Sequence, residues 1–134
     1  MTRRLGSIAI VFLALPLLGM GALGGTGAPP ERNYAGAFVD RDGTKVDAKW
    51  ISAGGELTLA GQLGRGDLRI SFDNIKEIRF TGDPAKGLVA QVALRKGDAI
   101  EIKVRSSLTF SGQTNLGIYR IRARDLQSVE FASE

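Results

Sequence analysis

The chain has 134 residues, a formal charge of +4, and neither cysteine nor histidine. Its length supports one domain with a real core but not two independently stable ones, and disulfide stapling is excluded along with the commonest general base and metal ligand. Setting aside Arg3 and Arg4 leaves 16 basic residues against 14 acidic ones, a field too weak to imply a nucleic-acid partner.

Residues 1–24 read as a secretory signal helix. Arg3 and Arg4 form its positive start, Ile8 to Leu18 its apolar run, and small residues follow from Gly19. Cleavage after Ala22 or Gly24 fits the small-residue rule. The alternative is an uncleaved anchor, because Leu5 to Leu23 approaches the roughly 20 residues that a bilayer span needs. Either way the remainder is expected in the periplasm or outside the cell, with membrane contact only through that uncleaved segment. Residues 25–36, with Gly25, Gly27, Pro29 and Pro30, read as a flexible linker, and Tyr34 falls at its end.

Residues 37–134 read as a β domain with an internal repeat. Leu57 to Phe80 overlays Leu108 to Phe131 without a gap at an offset of 51, with eight of 24 positions identical, among them Gly61/Gly112, Gln62/Gln113, Gly66/Gly117 and Arg69/Arg120. Chance would give about one or two. Upstream, Phe38 to Trp50 overlays Val92 to Val104 at an offset of 54. The three extra residues fall in Ile51 to Glu56, where Gly54-Gly55 predicts a longer turn than Arg105 to Ser107. Repeat one therefore spans 38–80 and repeat two 92–131.

Within each repeat the apolar period is two. A hairpin is expected around Asp42-Gly43 and again around Lys96-Gly97. Ile100, Ile102 and Val104 face a core, as do Leu57 and Leu59, Leu108 and Phe110. Trp50, at the slot of Val104, is expected in that core. Beyond the turn at Gly64 to Gly66 come Leu68, Ile70 and Phe72, matched by Tyr119, Ile121 and Ala123. A short capped turn is predicted over Asp73-Asn74-Ile75-Lys76 and over Arg124-Asp125-Leu126-Gln127. Ile78 and Phe80, or Val129 and Phe131, then resume the alternation. About five strands in some 43 residues is too little to fold alone, so the expectation is an all-β fold: one pseudo-twofold β-barrel or β-sandwich of about ten short strands around a shared core.

The unit of hairpin, third strand, Gly turn, I-x-F-x-x-I-x-x-I strand from Ile70 and capped turn resembles the small barrels of the Sm-like class, and most of all exported bacterial proteins carrying such repeats. The resemblance covers Phe38 to Phe131. It implies a small-barrel fold, and RNA binding is not carried over, because the chain lacks the nucleic-acid signature and is read as exported.

Catalysis needs a nucleophile and a base held by neighbours; with no His or Cys, only carboxylates, Lys and hydroxyls remain, and neither an enzyme nor a cofactor is expected. Asp73 with Glu77, or Asp125 with Glu130, is the carboxylate pairing a hydrolase would use. Asp40, Asp42 and Asp47 cluster at the first hairpin but make no D-x-D-x-D-G loop, so no metal site is expected. Arg65-Gly66-Asp67 reads as turn chemistry, because its counterpart keeps only the glycine. Arg120, Arg122 and Arg124 alternate, with Arg69 at the position matching Arg120, and form the candidate binding row. The expected function is a non-catalytic module of the cell envelope that binds an envelope protein or an anionic surface polymer, or a structural part of an envelope assembly.

Overall fold

The computed structural model describes residues 32–133; the expected signal segment and most of the linker lie outside them. Ten strands follow one another: β1 (Gly36–Asp40), β2 (Lys45–Ala53), β3 (Thr58–Leu63), β4 (Gly66–Ser71), β5 (Ile75–Thr81), β6 (Leu88–Leu94), β7 (Ile100–Val104), β8 (Thr109–Thr114), β9 (Gly117–Arg122) and β10 (Leu126–Phe131). A single 3₁₀ turn precedes β5 at Phe72–Asn74 and β10 at Ala123–Asp125. The first begins one residue earlier than expected and is capped by Ser71, whose hydroxyl, and not an Asx side chain, accepts the Asp73 N–H. Among the described residues no helix is long and apolar enough to cross a membrane.

All ten strands belong to one curled antiparallel sheet in the order β4-β3-β7-β6-β5-β10-β1-β2-β8-β9. The hairpins β1–β2 and β6–β7 turn through Gly43 and Gly97, at φ 89° and 94°, a region that costs a glycine nothing. The chain does not build its two halves side by side. The third strand of each half leaves its own hairpin and pairs with the other's: β3 lies against β7, and β8 against β2. Registers follow the sequence offsets. Phe38 opposes Val129 as Val92 opposes Ile78, Lys49 opposes Gln113 as Lys103 opposes Gln62, and Asp40/Leu126 and Ile75/Leu94 mark bulges at matching places.

One apolar cluster runs through the whole sheet, with Phe38, Ile51, Leu59, Phe72, Ile75, Ile78, Leu88, Phe110, Leu126 and Val129 among its buried members. Most lie at alternate positions of their strands; in β5 and β10 the bulges set Ile75 and Ile78, and Leu126 and Val129, three positions apart, and Phe72 enters the core from the first 3₁₀ turn. Aromatic rings fill both ends, Tyr34 and Phe131 against Phe72 at centroid distances of 5.5 and 4.8 Å, and Phe38 and Phe80 against Phe110 at 6.3 and 5.9 Å.

Two expectations are corrected. Tyr34 is not part of a tether: it is 8% exposed, its hydroxyl donates to Asp73 Oδ1 at 2.8 Å, and β1 already begins at Gly36. Trp50 is not in the core. Between Lys49 and Ser52 the β2–β8 register slips, leaving β2 with one residue more than β8 needs. That bulge reverses the inward-outward parity, so that Ile51 is fully buried and Trp50 only partly.

Candidate functional site

Among the described residues Trp50 is the only non-glycine with positive φ, at 55°, an unfavourable region for a bulky side chain. Two hydrogen bonds hold the backbone there: the Trp50 N–H donates to Asn33 Oδ1 at 2.9 Å and the Ile51 N–H to the Tyr34 carbonyl at 3.0 Å. The segment before β1 is thus stitched to the bulge. The indole borders a cleft of about 770 Å³ over the outer face of β10, β1, β2 and β8. Ala35, Ala37 and Ala132 keep its floor low. Lys45, Asp47 and Lys49 rise from β2, Gln113 and Asn115 from β8 and the turn after it, and Glu130 from β10. Lys45 Nζ lies 3.9 Å from Glu130 Oε1, both side chains about half exposed.

Of the arginines expected in the binding row, Arg120 and Arg122 share one strand and one cleft, while Arg69 and Arg124 stand apart from them. Arg69 stands on β4 at one end of the sheet and bonds Glu56 at 2.7 Å; Arg120 and Arg122 stand on β9 at the other end. They line a second cleft with Asp40, Asp42, Asp125 and Tyr119, and form no ion pair among the described residues. Arg124 lies past the strand in the 3₁₀ turn, where its carbonyl accepts from Arg41 Nε. Burial, and then the nearby charges of Asp40 and Asp125, raise the Tyr119 pKa above its ordinary 10.0. Arg69 belongs instead to a third cleft between β3 and β7, with Asp67, Lys86, Lys103 and Arg105.

Asp73, Glu77 and Asp40 are each held by neighbouring groups. Asp73 accepts from Tyr34 and pairs with Arg32 at 2.7 Å, while Glu77 pairs with Arg79 at 3.4 Å. Asp125 and Glu130 line different clefts. Asp40 Oδ1 accepts the N–H groups of Asp42 and Thr44, each at 2.9 Å, so it folds the first hairpin. Among the described residues no three acidic side chains are grouped to hold a metal ion. Alternation alone could not find the Trp50 cleft, although the three-residue length difference between the repeats falls immediately after Trp50.

Residues 30–134 match the model of a family described as an uncharacterised protein, and the chain belongs to that family. Comparison with curated proteins and with solved structures gives no match.

Proposed function

We propose that the protein is a non-catalytic, exported binding module of the cell envelope, built from a duplicated small-barrel unit of the Sm-like kind whose two copies have exchanged strands. The leader supports export through Arg3, Arg4 and the apolar run behind them. The paired offsets of 51 and 54, followed by the strand registers, support duplication.

The observation that carries the binding reading is the β9 end of the sheet. Strand β9 has a neighbour on one side only, and the β8–β9 hairpin exposes Leu116 at 94% and Ile118 at 69%. An unpaired strand invites an added one, and apolar side chains at its tip supply burial on contact. Arg120 and Arg122 on the same strand, in no ion pair among the described residues, offer cationic contacts to acidic side chains of an added envelope-protein segment, with Asp40, Asp42 and Asp125 beside them to take its basic ones.

Cell fractionation together with site-specific photocross-linking tests this. The protein is expected outside the cytoplasm, with adducts forming at positions 116 and 118 and lost when Arg120 and Arg122 are both changed to Glu. A cytoplasmic location, or no adduct at either position, overturns the reading.

A further inference from the structure

We infer that the Trp50 cleft is a saccharide-binding site. The inference deepens the binding-module reading but stands on a different surface from the β9 edge. Three features of the cleft define the ligand. Its charges balance: Lys45 and Lys49 are answered by Asp47 and Glu130, so a ligand with net charge gains no long-range attraction there. Its remaining polar groups include Gln113 and Asn115, whose amides both donate and accept, beside acceptor-only carboxylates and donor-only ammonium groups. A sugar hydroxyl, donor and acceptor at once, matches such a mixed set. Finally, the partly exposed indole offers a flat apolar surface with a polar edge, which suits the C–H face of a pyranose ring.

The cleft is also held in shape. The left-handed turn at Trp50, fastened by Asn33 and Tyr34, fixes where the indole leaves the backbone. Its volume of about 770 Å³ falls within the ~300–1,000 Å³ typical of ligand pockets. Only one half of the molecule carries this arrangement. At the matching place Val104 is buried, and the adjoining cleft sets Arg69, Lys86, Lys103 and Arg105 against Asp67 alone. Among the described residues the arrangement therefore occurs once, created by the bulge and the three-residue extension behind it.

Trp50 is the only tryptophan of the chain, so its emission reads this cleft. The full chain is titrated with the N-acetylglucosamine tetramer, with maltotetraose and with inorganic phosphate. At about 10 mM ligand a weak site of Kd ~1 mM is some nine-tenths filled. A saturable emission change with one or both oligosaccharides, and none with phosphate, is the expected result. Gln113→Ala is expected to weaken binding about fivefold, the loss of one hydrogen bond, and Asn115→Ala to do the same if circular dichroism shows it folded. Silence with both sugars, stronger binding of phosphate, or full affinity in Gln113→Ala each overturns the assignment. None of these results touches the cross-links at positions 116 and 118, so the two readings fail separately.

Discussion

Ile78 faces Val129 across the β5–β10 pair, and both are fully buried. Their numbers differ by 51, the offset at which the two sequence segments overlay, and the pairs flanking them are Glu77/Glu130 and Arg79/Ser128. This contact is the centre of the sheet, with four strands beyond it on either side. Ile78→Ala is expected to cost about 2–5 kcal/mol, since a truncated core residue leaves a cavity that its neighbours fill only in part. Urea unfolding followed by far-ultraviolet circular dichroism measures it. A loss below about 1 kcal/mol would mean that the two halves do not depend on this seam.

Gly61 and Gly112, 51 residues apart in the sequence, lie on β3 and β8 where these pair with β7 and β2. A Cβ on Gly61 would come within 2.6 Å of the Lys103 carbonyl oxygen, and one on Gly112 within 2.8 Å of the Ala48 Cβ. Each glycine thus meets the hairpin of the other half. Gly112→Ala is expected to destabilise by about 1–3 kcal/mol through overpacking. Ala48→Gly in the same chain is expected to recover part of that loss, which a double-mutant cycle reads as coupling. Strict additivity would show that the β2–β8 contact is looser than its geometry.

Thr58 and Thr109 also share a register position, but their hydroxyls fare differently. Thr109 Oγ1 donates to the Ser107 carbonyl at 3.2 Å, while Thr58 Oγ1 is buried with no hydrogen-bond partner. A buried polar atom left unpaired costs about 1–3 kcal/mol. Thr58→Val is therefore expected to raise the urea midpoint and Thr109→Val to lower it. Equal effects at the two sites would contradict the difference in bonding.

The Tyr34 hydroxyl is pushed above its ordinary 10.0, first by burial, then by its hydrogen bond to Asp73 and the charge of that carboxylate; Arg32 and Ser71 pull the other way. A raised folded-state pKa means that the protonated phenol is favoured in the native protein. Its contribution is complete below pH ~10 and is lost as pH climbs through the folded value. Tyr34→Phe is expected to lower stability at neutral pH and to flatten its decline above pH ~10, followed by denaturation midpoints across that range. Parallel curves for the two proteins would rule out Tyr34 as a source of the alkaline loss.

The exposed Arg69–Glu56 pair, with side chains 61% and 57% accessible, is expected to contribute less than about 1 kcal/mol. Arg69→Ser and Arg120→Ser should unfold at nearly the wild-type midpoint even though only the first loses an ion pair. A large loss in Arg69→Ser would give Arg69 a structural role.

Alternation of side chains was legible in the residues themselves: Ile102 and Val104, Leu59, Phe110, Ile70, Ile78 and Val129 all face the core as the period of two requires. So were the turns at Gly43 and Gly97 and the offsets that the registers later follow. These are local properties, set by the pleat and by backbone sterics, and a strand carries them whichever neighbour it has. Which neighbour it takes is not local. The pairing of β3 with β7 and of β8 with β2, the separation of Arg69 from Arg120 to opposite ends of the sheet, and the burial of Tyr34 with its hydroxyl on Asp73 all depend on contacts between residues far apart in the chain. Trp50 marks the boundary between the two kinds of information. One unpaired residue in β2 turned its side chain out of the core, because a shift of one position in a ladder of period two reverses every face that follows.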